Sequence, residues 1–536
     1  MEHLSRLSIN GFRLALALLL LNSLLTVHNR WPTAGVCWVP ELSLDLIVLL
    51  LVLAVAWRGP PGRWGQGLLL GGVILLALGR YMDVTAPALM GRSIHLYWDS
   101  QHLPQVAAML ADSVTGWQLA GGGLALLALG GGLVVMLRWA LHTVIAAFHH
   151  PLARWALGAL AAVLLALYGA GRWNVRLPTE RWFALPVTPV FIGQIRLALD
   201  ATVFRNPEWI VARPLLPALH RTEAAPGDVF VIFFESYGAL AFDDRRFAAP
   251  LAGEFSALEQ SLVQAGWLAA SARVESSTFG GGSWLAHASL LSGLRIADQG
   301  DYRDLLASDR QTLVRRFADV GYRTVAVMPG LRYAWPEGRF YGFAEIYRAE
   351  RLNYHGPAYG WWTIPDQYSL YWIHQVELNP APRPPLFIFF STINSHAPFA
   401  PLPPYEPDWR RMNAPAGETR AGAVDLHERL DGAALAAAYI ESIRYNLAVL
   451  GGYLRQYAPA NALLLVLGDH QPPAIVGGRE IPWQVPAHVF SRDPAVLERW
   501  VAAGFRPGMV PGPTVLGGIE RMGPLLLELG HQPPSP

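Results

Sequence analysis

The stretch Asp228-Val-Phe-Val-Ile-Phe-Phe-Glu235-Ser236 decides the fold of the C-terminal part of the chain. Its apolar residues follow one another without a polar break, and β-branched and aromatic side chains of this kind favour strands. A continuous apolar run is typical of a strand that is buried on both faces, as in a parallel sheet between two layers of helices. The stretch therefore predicts a central strand with Glu235 at its carboxyl end.

Similar apolar runs and helical stretches alternate after this strand. The runs lie at 323–328, 386–391 and 462–467, and the helical stretches at 251–264, 310–320 and 434–456. This alternation predicts an α/β domain with a mostly parallel sheet and helices on both faces. In such sheets ligands bind beyond the carboxyl ends of the strands.

Polar side chains stand at the ends of three of the four predicted strands. Glu235 follows the first strand, His396 follows the third, and Asp469 and His470 follow the fourth. Because the carboxyl ends of parallel strands meet at one edge of the sheet, these side chains are expected to converge.

A glycine-rich stretch, Thr278-Phe-Gly-Gly-Gly-Ser283, lies between the first two strands. Glycines allow a sharp bend and a close approach of a ligand to the backbone. Helical spacing begins at Ser283, and the start of a helix favours an anion through its free N–H groups and its dipole. The stretch predicts a hydroxyl group beside an anionic centre such as a phosphate or a sulfate.

Two carboxylates, an imidazole and a hydroxyl make a plausible four-ligand site for one divalent metal. The ligands would be Glu235, Ser283, Asp469 and His470, and this mixed oxygen and nitrogen set suits Mn²⁺ or Zn²⁺ better than Ca²⁺. A metal ion would lower the pKa of the Ser283 hydroxyl and make it a nucleophile. His396 would act as an acid or base, or would hold an anionic oxygen.

Each of these residues also has a purely structural explanation. Ser283 is a possible N-cap after a turn, and Glu235 is a possible cap of the following helix. Asp469 could stabilise a turn before two prolines, and His396 could be a loop residue. The joint placement of all these groups at strand ends favours the functional interpretation.

Composition points to a membrane protein. Of the 536 residues, 52% are hydrophobic and 15% charged, and the mean hydropathy is +0.27. The chain contains no lysine, which excludes a P-loop and Schiff-base chemistry. Its single cysteine, Cys37, excludes an intramolecular disulfide and a cysteine zinc cluster. A net charge of +1 gives no support to a nucleic-acid partner.

Five apolar runs precede the α/β part and predict an α-helical five-span membrane domain. They lie at 9–28, 42–58, 65–81, 116–138 and 152–171. Arginines such as Arg13, Arg63 and Arg138 all fall on the side of the N-terminus, so the positive-inside rule places that side in the cytoplasm. The sequence thus predicts a multi-pass protein of the bacterial inner (plasma) membrane with an extracytoplasmic, periplasmic C-terminal domain.

The predicted domains are 1–175, the transmembrane helices; 176–222, a proline-rich linker with an amphipathic helix near 191–203 on the membrane surface; and 223–536, the catalytic domain. The loop 82–115 is rich in aromatic and polar residues and is a candidate for seating a lipid headgroup.

Four motifs together resemble the alkaline phosphatase superfamily, in its membrane-anchored sulfatase-like branch. They are Phe-Phe-Glu235-Ser, Gly-Gly-Gly-Ser283, Ile-Asn-Ser-His396-Ala-Pro-Phe and Leu-Gly-Asp469-His470. Lipoteichoic acid synthases and phosphoglycerol or phosphoethanolamine transferases belong to this branch. The resemblance implies that Ser283 is the nucleophile of a covalent intermediate, that Glu235, Asp469 and His470 bind the metal with it, and that His396 lies in the substrate site.

Further site residues follow from the same resemblance. Trp335 and Arg339 correspond to a tryptophan and an arginine that contact phosphate in the family, and an arginine fork suits that geometry. His287 is a third candidate for substrate binding. Thr278 is the alternative nucleophile, although Ser283 follows the glycines directly.

The chain departs from the sulfatases in ways that favour phosphoryl transfer. The sulfatase motif Cys/Ser-x-Pro-x-Arg requires a proline and an arginine that Ser283-Trp-Leu-Ala-His287 lacks, and the sulfate-clamping lysines are missing. A single Glu235 stands in place of paired aspartates. The single cysteine also disfavours the phosphoethanolamine transferases, and a serine in place of threonine departs from the lipoteichoic acid synthases, so the headgroup stays open.

The expected function is that of a metal-dependent transferase, which moves a headgroup (phosphoglycerol or phosphoethanolamine) from a membrane phospholipid donor through Ser283 to an extracytoplasmic glycan or lipid acceptor. One alternative is a sulfatase-like hydrolase of sulfate or phosphate esters. A Gly-x-Ser-x-Gly serine hydrolase is disfavoured because Leu285 replaces the second glycine. A non-catalytic membrane protein is the remaining alternative.

Overall fold

The computed structural model describes most of the chain as two compact units. One unit comprises Met1–Leu89 and Ser93–Phe204, and the other comprises Met90–Arg92 and Arg205–Pro536. The description leaves out residues 1, 58, 105, 109–114, 174–177, 204–207, 220–226, 360–363, 414–431, 479 and 531–536, and the side chains of 2–10, 178 and 180.

The predicted domain boundaries stay predictions. The boundary after 175 and the boundary after 222 both fall outside the described residues. A helix, Thr188–Thr202, is present where the sequence predicts an amphipathic helix near 191–203.

The first unit is helical, but five membrane spans are not confirmed. Three helices, Arg63–Met90, Gly116–Phe148 and Pro151–Trp173, are long and apolar enough to cross a membrane. The apolar helices Gly11–Thr26 and Leu44–Ala56 are shorter. The second of them has 13 residues, which extend only about 20 Å, whereas the hydrocarbon core is about 30 Å thick.

Short pairings and caps hold the segments between these helices. Strands β1 (His28–Asn29) and β2 (Val36–Cys37) pair antiparallel, and β3 (Leu42–Ser43) pairs parallel with β4 (Phe183–Ala184). The buried carboxylate of Asp45 accepts hydrogen bonds from the backbone N–H groups of residues 187 and 188, at 2.7 and 3.2 Å. This aspartate therefore ties the start of the helix Thr188–Thr202 to the helix Leu44–Ala56. The helix Leu96–Asp99 completes the first unit.

The second unit is built around a nine-stranded sheet in the order β12-β6-β11-β10-β5-β9-β7-β8, with β13 also paired to β6. The strands are β5 (Val229–Phe234), β6 (Leu268–Glu275), β7 (Arg323–Met328), β8 (Glu345–Arg348), β9 (Leu386–Ser391), β10 (Leu463–Gly468), β11 (Gln484–Ser491), β12 (Arg506–Pro507) and β13 (Val515–Gly518). Four of them coincide with the apolar runs of the sequence.

The sheet is mixed, and most of its strands run parallel, as the sequence predicts. Strands β10, β5, β9, β7 and β8 are neighbours and run parallel, but β11 is antiparallel to both β10 and β6. The connection between β10 and β11 contains the helical turn Ala474–Gly477. Mixed sheets of this kind are common among large sheets.

Helices cover both faces of the sheet. The ring of Phe230 on β5 meets Tyr453 of the helix Gly432–Gln456, with ring centroids 5.9 Å apart. Phe233, three residues along and hence on the opposite face, meets His287 of the helix Ser283–Ser292 at 4.5 Å. The other helices of this unit are Glu208–Val211, Leu240–Asp243, Arg245–Gln264, Gln299–Ala307, Leu313–Asp319, Gly338–Tyr341, Asp366–Ile373, Pro494–Ala502 and Met522–Leu529.

Candidate metal centre and nucleophile

Sheet register brings the two acidic residues together. In the parallel pair of β5 and β10, Phe234 lies opposite Gly468, so Glu235 and Asp469 leave adjacent strands at the same level. His470 follows directly. All three side chains are buried, and one candidate ligand atom from each lies within 4.8 Å of the others.

The glycine-rich loop delivers Ser283 to the same edge. It follows β6, which is antiparallel to β11 and therefore parallel to β10 and β5. Gly280, Gly281 and Gly282 have φ angles of 64°, 140° and 79°, a region in which a side chain is strained. The turn ends at Ser283, the first residue of the helix Ser283–Ser292.

The hydroxyl group of Ser283 contacts two of the three buried residues. Its Oγ donates a hydrogen bond to Oε2 of Glu235 at 2.9 Å and lies 3.2 Å from Nε2 of His470. The same Nε2 is 3.3 Å from Oε1 of Glu235 and 3.7 Å from Oδ2 of Asp469. The four predicted ligands thus surround one point.

Two details show that these side chains fit a divalent cation. Within the described chain, Oδ2 of Asp469 is buried without a hydrogen bond, while Oδ1 accepts the backbone N–H groups of Ser236 and His470. Nδ1 of His470 lies 2.8 Å from the carbonyl oxygen of Gln471. A proton on Nδ1 leaves the Nε2 lone pair directed at the carboxylates, which is the arrangement of a metal-ligating histidine.

The electrostatics of the cluster agree with a cation site. Burial alone would lower the pKa of His470, but the carboxylates of Asp469 and Glu235 raise it to about 9. Burial and the charge of Glu235 raise the pKa of Asp469 well above its usual range. Burial would also raise the pKa of Glu235, yet the imidazoles of His396 and His470 outweigh it and lower this pKa. A divalent ion among these side chains would supply positive charge, which stabilises the carboxylates of Glu235 and Asp469.

Several supporting residues were not assigned a role from the sequence. Ser236 has a φ of 57°, and its Oγ donates to Oε1 of Glu235 at 3.0 Å. Ser395 donates to the backbone carbonyl of Glu235 at 2.5 Å and accepts from Asn446 at 2.8 Å. In the sequence, only the positions of the two serines next to Glu235 and His396 suggest a role for them. The sequence does not suggest a role for Asn446.

The two candidate nucleophiles differ in the contacts of their hydroxyl groups. Thr278 directs its hydroxyl to the carbonyl oxygen of Gly281 at 2.5 Å, away from the metal-ligand side chains. His396 is half-buried, with Nδ1 2.7 Å from the carbonyl of Ala397, and its charge acts on Glu235. The geometry therefore favours Ser283 over Thr278 and places His396 near the cluster.

The three candidates for substrate binding have different surroundings. His287 is buried with its ring 4.5 Å from Phe233, and burial lowers its pKa to about 3. Trp335 stacks on Tyr341 at 5.6 Å, and Arg339 is exposed on the helix Gly338–Tyr341. In the described chain none of them hydrogen-bonds to the metal-ligand side chains. The ring of His287 packs against Phe233 and Phe389, and the charges of Glu235 and His470 also act on it.

Comparisons with known proteins give one family match and several similar solved structures. Residues 268–488 match the family model of the sulfatases. No curated protein sequence matches the chain. Similar solved structures include the lipoteichoic acid synthase LtaP from Listeria monocytogenes, with 12% identity over 60% of this chain and 77% of that one and a TM-score of 0.37.

Two further similar structures are a periplasmic domain and a phosphoglycerol transferase. The C-terminal periplasmic domain of EcEptC from Escherichia coli, in complex with Zn, has 12% identity over 59% of this chain and 86% of that one, with a TM-score of 0.39. The phosphoglycerol transferase GacH from Streptococcus pyogenes has 14% identity over 50% of this chain and 69% of that one, with a TM-score of 0.34. The family match makes residues 268–488 of this chain similar to the sulfatases.

Proposed function

We propose that the protein is a membrane-anchored, metal-dependent phosphotransferase that carries a phospholipid headgroup on Ser283. The position of the Ser283 hydroxyl carries the proposal, since it lies 2.9 Å from Glu235 and 3.2 Å from His470. Asp469 adds a buried oxygen without a hydrogen bond. A divalent cation on these residues would lower the pKa of the hydroxyl and offset negative charge on a phosphate group.

The residues of the chain supply the remaining requirements. The carboxylate of Glu235 accepts the hydrogen bond of the Ser283 hydroxyl. The backbone N–H groups at the start of the helix Ser283–Ser292 face the position of an anionic phosphate, and the helix dipole stabilises its charge. His396 lies close enough to affect Glu235 and is the candidate for moving a proton to or from the exchanging oxygen.

The proposed reaction has two displacements at phosphorus. First, the Ser283 hydroxyl loses its proton and its Oγ forms a bond to the phosphorus of the phospholipid, the bond to the diacylglycerol oxygen breaks, and that oxygen takes up a proton. The headgroup phosphate is then held on Ser283. Second, an acceptor hydroxyl loses its proton and bonds to the same phosphorus, the bond to Ser283 breaks, and the serine hydroxyl regains a proton.

Two features support an unmodified serine and a phosphorus substrate. The residues after Ser283 lack the proline and arginine that sulfatases require, and the chain has no lysine to clamp a sulfate. The apolar helices of the first unit support a lipid donor at a bilayer surface. We place the protein in the bacterial inner membrane with its sulfatase-like domain in the periplasm, and a glycan or lipid as acceptor.

Intact-mass analysis tests the proposal. The purified protein is incubated with phospholipid in the absence of an acceptor, and the covalent adduct is mapped by peptide mass spectrometry. An adduct equal to the headgroup phosphate is expected on Ser283, and its mass names the headgroup. Ser283→Ala should carry no adduct, whereas Thr278→Val should keep it. An adduct on Thr278, or full turnover by Ser283→Ala, would refute the mechanism.

A hydrolase of sulfate or phosphate esters is the second candidate, favoured by the match to the sulfatase family model. In that case water replaces the acceptor hydroxyl in the second displacement. Phospholipid labelled in its headgroup separates the two reactions when membranes with their glycans are present. Label in a glycan or lipid product supports transfer, and label released as the free headgroup phosphate supports hydrolysis.

A further inference from the structure

The first unit contains a cavity of about 250 Å³ between the helices Arg63–Met90 and Thr188–Thr202. Its walls are mainly apolar, and the polar groups in them are few. The lining includes Met82, Asp83, Pro87, Phe191, Gly193 and Gln194. A small, mainly apolar cavity with few polar groups is the usual form of a ligand site.

Of its polar groups, Asp83 is the one suited to bind a cation. Both ends of the Gln194 amide are occupied, since Nε2 donates to the carbonyl of Ile94 at 2.7 Å and Oε1 accepts from the N–H of Leu96 at 2.9 Å. Asp83, by contrast, accepts no hydrogen bond from any described residue, and it is half-buried. A carboxylate in such a wall favours a ligand that brings positive charge and hydrogen-bond donors.

The nearest positive charge of the protein is directed elsewhere. Arg80 interacts electrostatically with Asp83, but its guanidinium donates to the carbonyl oxygens of Val27 and Leu185 at 2.9 and 3.5 Å. Arg80 is buried and does not line the cavity. Because Arg80 donates no hydrogen bond to the Asp83 carboxylate, a ligand can donate hydrogen bonds to it.

The surroundings place the cavity at the boundary between apolar and polar phases. The apolar run of the helix Arg63–Met90 ends just before Arg80 and Asp83, and charged residues at that position lie at headgroup depth. On the helix Thr188–Thr202, the exposed residues Ile192, Ile195 and Leu199 share one face. An apolar face of this kind contacts lipid, while the other face lines the cavity.

We propose that this cavity binds the headgroup of a phospholipid that carries a primary ammonium, with the ammonium group on Asp83. The ammonium offers three donors and one positive charge to the carboxylate, and the apolar walls cover the glycerol and the first methylene groups. A glycerol headgroup brings no positive charge, and a quaternary ammonium brings no donor. The cavity therefore selects primary amines, and this inference concerns the first unit alone.

Lipid binding to the full chain tests the proposal. Native mass spectrometry of the detergent-solubilised protein is performed with phosphatidylethanolamine or phosphatidylglycerol of the same acyl chains. Ser283→Ala is the background in all samples, so that no lipid is consumed. Phosphatidylethanolamine is expected to bind about fivefold more tightly, the ratio for one partly buried charged hydrogen bond. Equal binding of both lipids would overturn the proposal.

Matched variants assign the preference to the cavity. Asp83→Asn should abolish it, while Asp200→Asn, an exposed aspartate on the helix Thr188–Thr202 beside Arg196, should keep it. Gly193→Leu adds a side chain at a residue that lines the cavity, where a Cβ meets no atom within 4 Å, and it should weaken the binding of phosphatidylethanolamine about fivefold or more. A preference that survives both Asp83→Asn and Gly193→Leu refutes the site. The transferase proposal is tested by the Ser283 adduct and is unaffected by this result.

Discussion

His470 can face a cation through only one of its two ring nitrogens. Its Nδ1 lies 2.8 Å from the carbonyl of Gln471, and His396 repeats the arrangement, with Nδ1 2.7 Å from the carbonyl of Ala397. In both cases the carbonyl of the next residue fixes the tautomer and the ring orientation. The backbone of each loop thus orients the imidazole ring so that Nε2 is available to a ligand.

At the residue scale, Asp469 is the test of the metal site. We expect Asp469→Asn to lower the metal bound per chain and headgroup turnover together, by roughly 10- to 100-fold in affinity, because it removes the charge of a ligand oxygen. Metal content is measured by elemental analysis of the purified protein.

The matched control is Ser283→Ala, which should keep bound metal while losing turnover, since Glu235, Asp469 and His470 remain. Chelation of the wild type should abolish turnover, and Mn²⁺ or Zn²⁺ should restore it. Wild-type metal content in Asp469→Asn would remove this residue from the ligand set.

At the element scale, the glycine-rich loop sets the direction of Ser283. Gly282 has a φ of 79°, and a Cβ there would lie 3.0 Å from Oγ1 of Thr278. Gly282→Ala is therefore strained by about 1–2 kcal/mol, and we expect a loss of turnover larger than the loss of stability, about 100-fold for a misplacement near 1 Å.

Turnover and thermal unfolding of the same preparation check this prediction. Gly253→Ala is the control, because Gly253 is exposed inside the helix Arg245–Gln264 with no atom within 4 Å of its Cβ. It should keep full activity and gain slight stability. Equal activity in the two variants would show that the loop tolerates reshaping.

The pair of strands β6 and β11 contains a buried titratable group away from the metal site. His488 of β11 lies 2.7 Å from Oγ of Ser271 and 3.0 Å from the hydroxyl of Tyr237, and burial lowers its pKa from 6.5 to about 3. Between these values the unfolded state binds a proton that the folded state does not. The contribution of His488 to stability is thus present above pH 6.5 and decreases as pH falls toward 3.

We expect His488→Gln to reduce the pH dependence of the free energy of unfolding by about 1.4 kcal/mol per pH unit below the unfolded pKa. Denaturant unfolding of the solubilised protein at several acidic pH values measures this slope. His355→Gln, at an exposed position, is the control. An unchanged slope in His488→Gln would mean that its imidazole is protonated in the folded protein.

The sequence predicts the strands that consist of continuous apolar runs, and it does not predict the strands that lack such a run. β5 and β9 are recognisable because runs of Val, Ile, Leu and Phe admit few other structures. β6 was missed because Leu-Ala-Ala-Ser-Ala-Arg-Val-Glu275 is rich in small residues, and its strand structure comes from its neighbours in the sheet. The helix Arg245–Gln264 begins six residues before the predicted start, since Asp244 caps it and Pro250 lies inside it.

The same distinction holds for the site. Glu235, Asp469 and His470 were predictable because each directly follows a buried strand, and strand ends converge by rule. Asn446 was not, because it lies within the long helix Gly432–Gln456 and reaches the site only through Ser395. The role of His287 in substrate binding stays a prediction, because spacing along a helix does not reveal which face is buried.

At the scale of the whole molecule, the single cysteine reports on membrane orientation. Cys37 is exposed and lies between the first two helices. The orientation predicted from the sequence, with the N-terminus in the cytoplasm, would put this segment in the periplasm. We expect a membrane-impermeant maleimide to label Cys37 in spheroplasts, with Cys37→Ser as the unlabelled control. Labelling only after membrane lysis would reverse the orientation.

The order of the strands also determines when the site can form during synthesis of the chain. β5 lies between β9 and β10, so Glu235 gains its partners Asp469 and His470 only when a segment more than two hundred positions further along has been translated and docked. A nascent chain that ends before β10 carries Ser283 and the glycine-rich turn, yet only Glu235 of the two buried acids Glu235 and Asp469. Its capacity to capture a cation thus arises late in biosynthesis, after most of the polypeptide has left the ribosome.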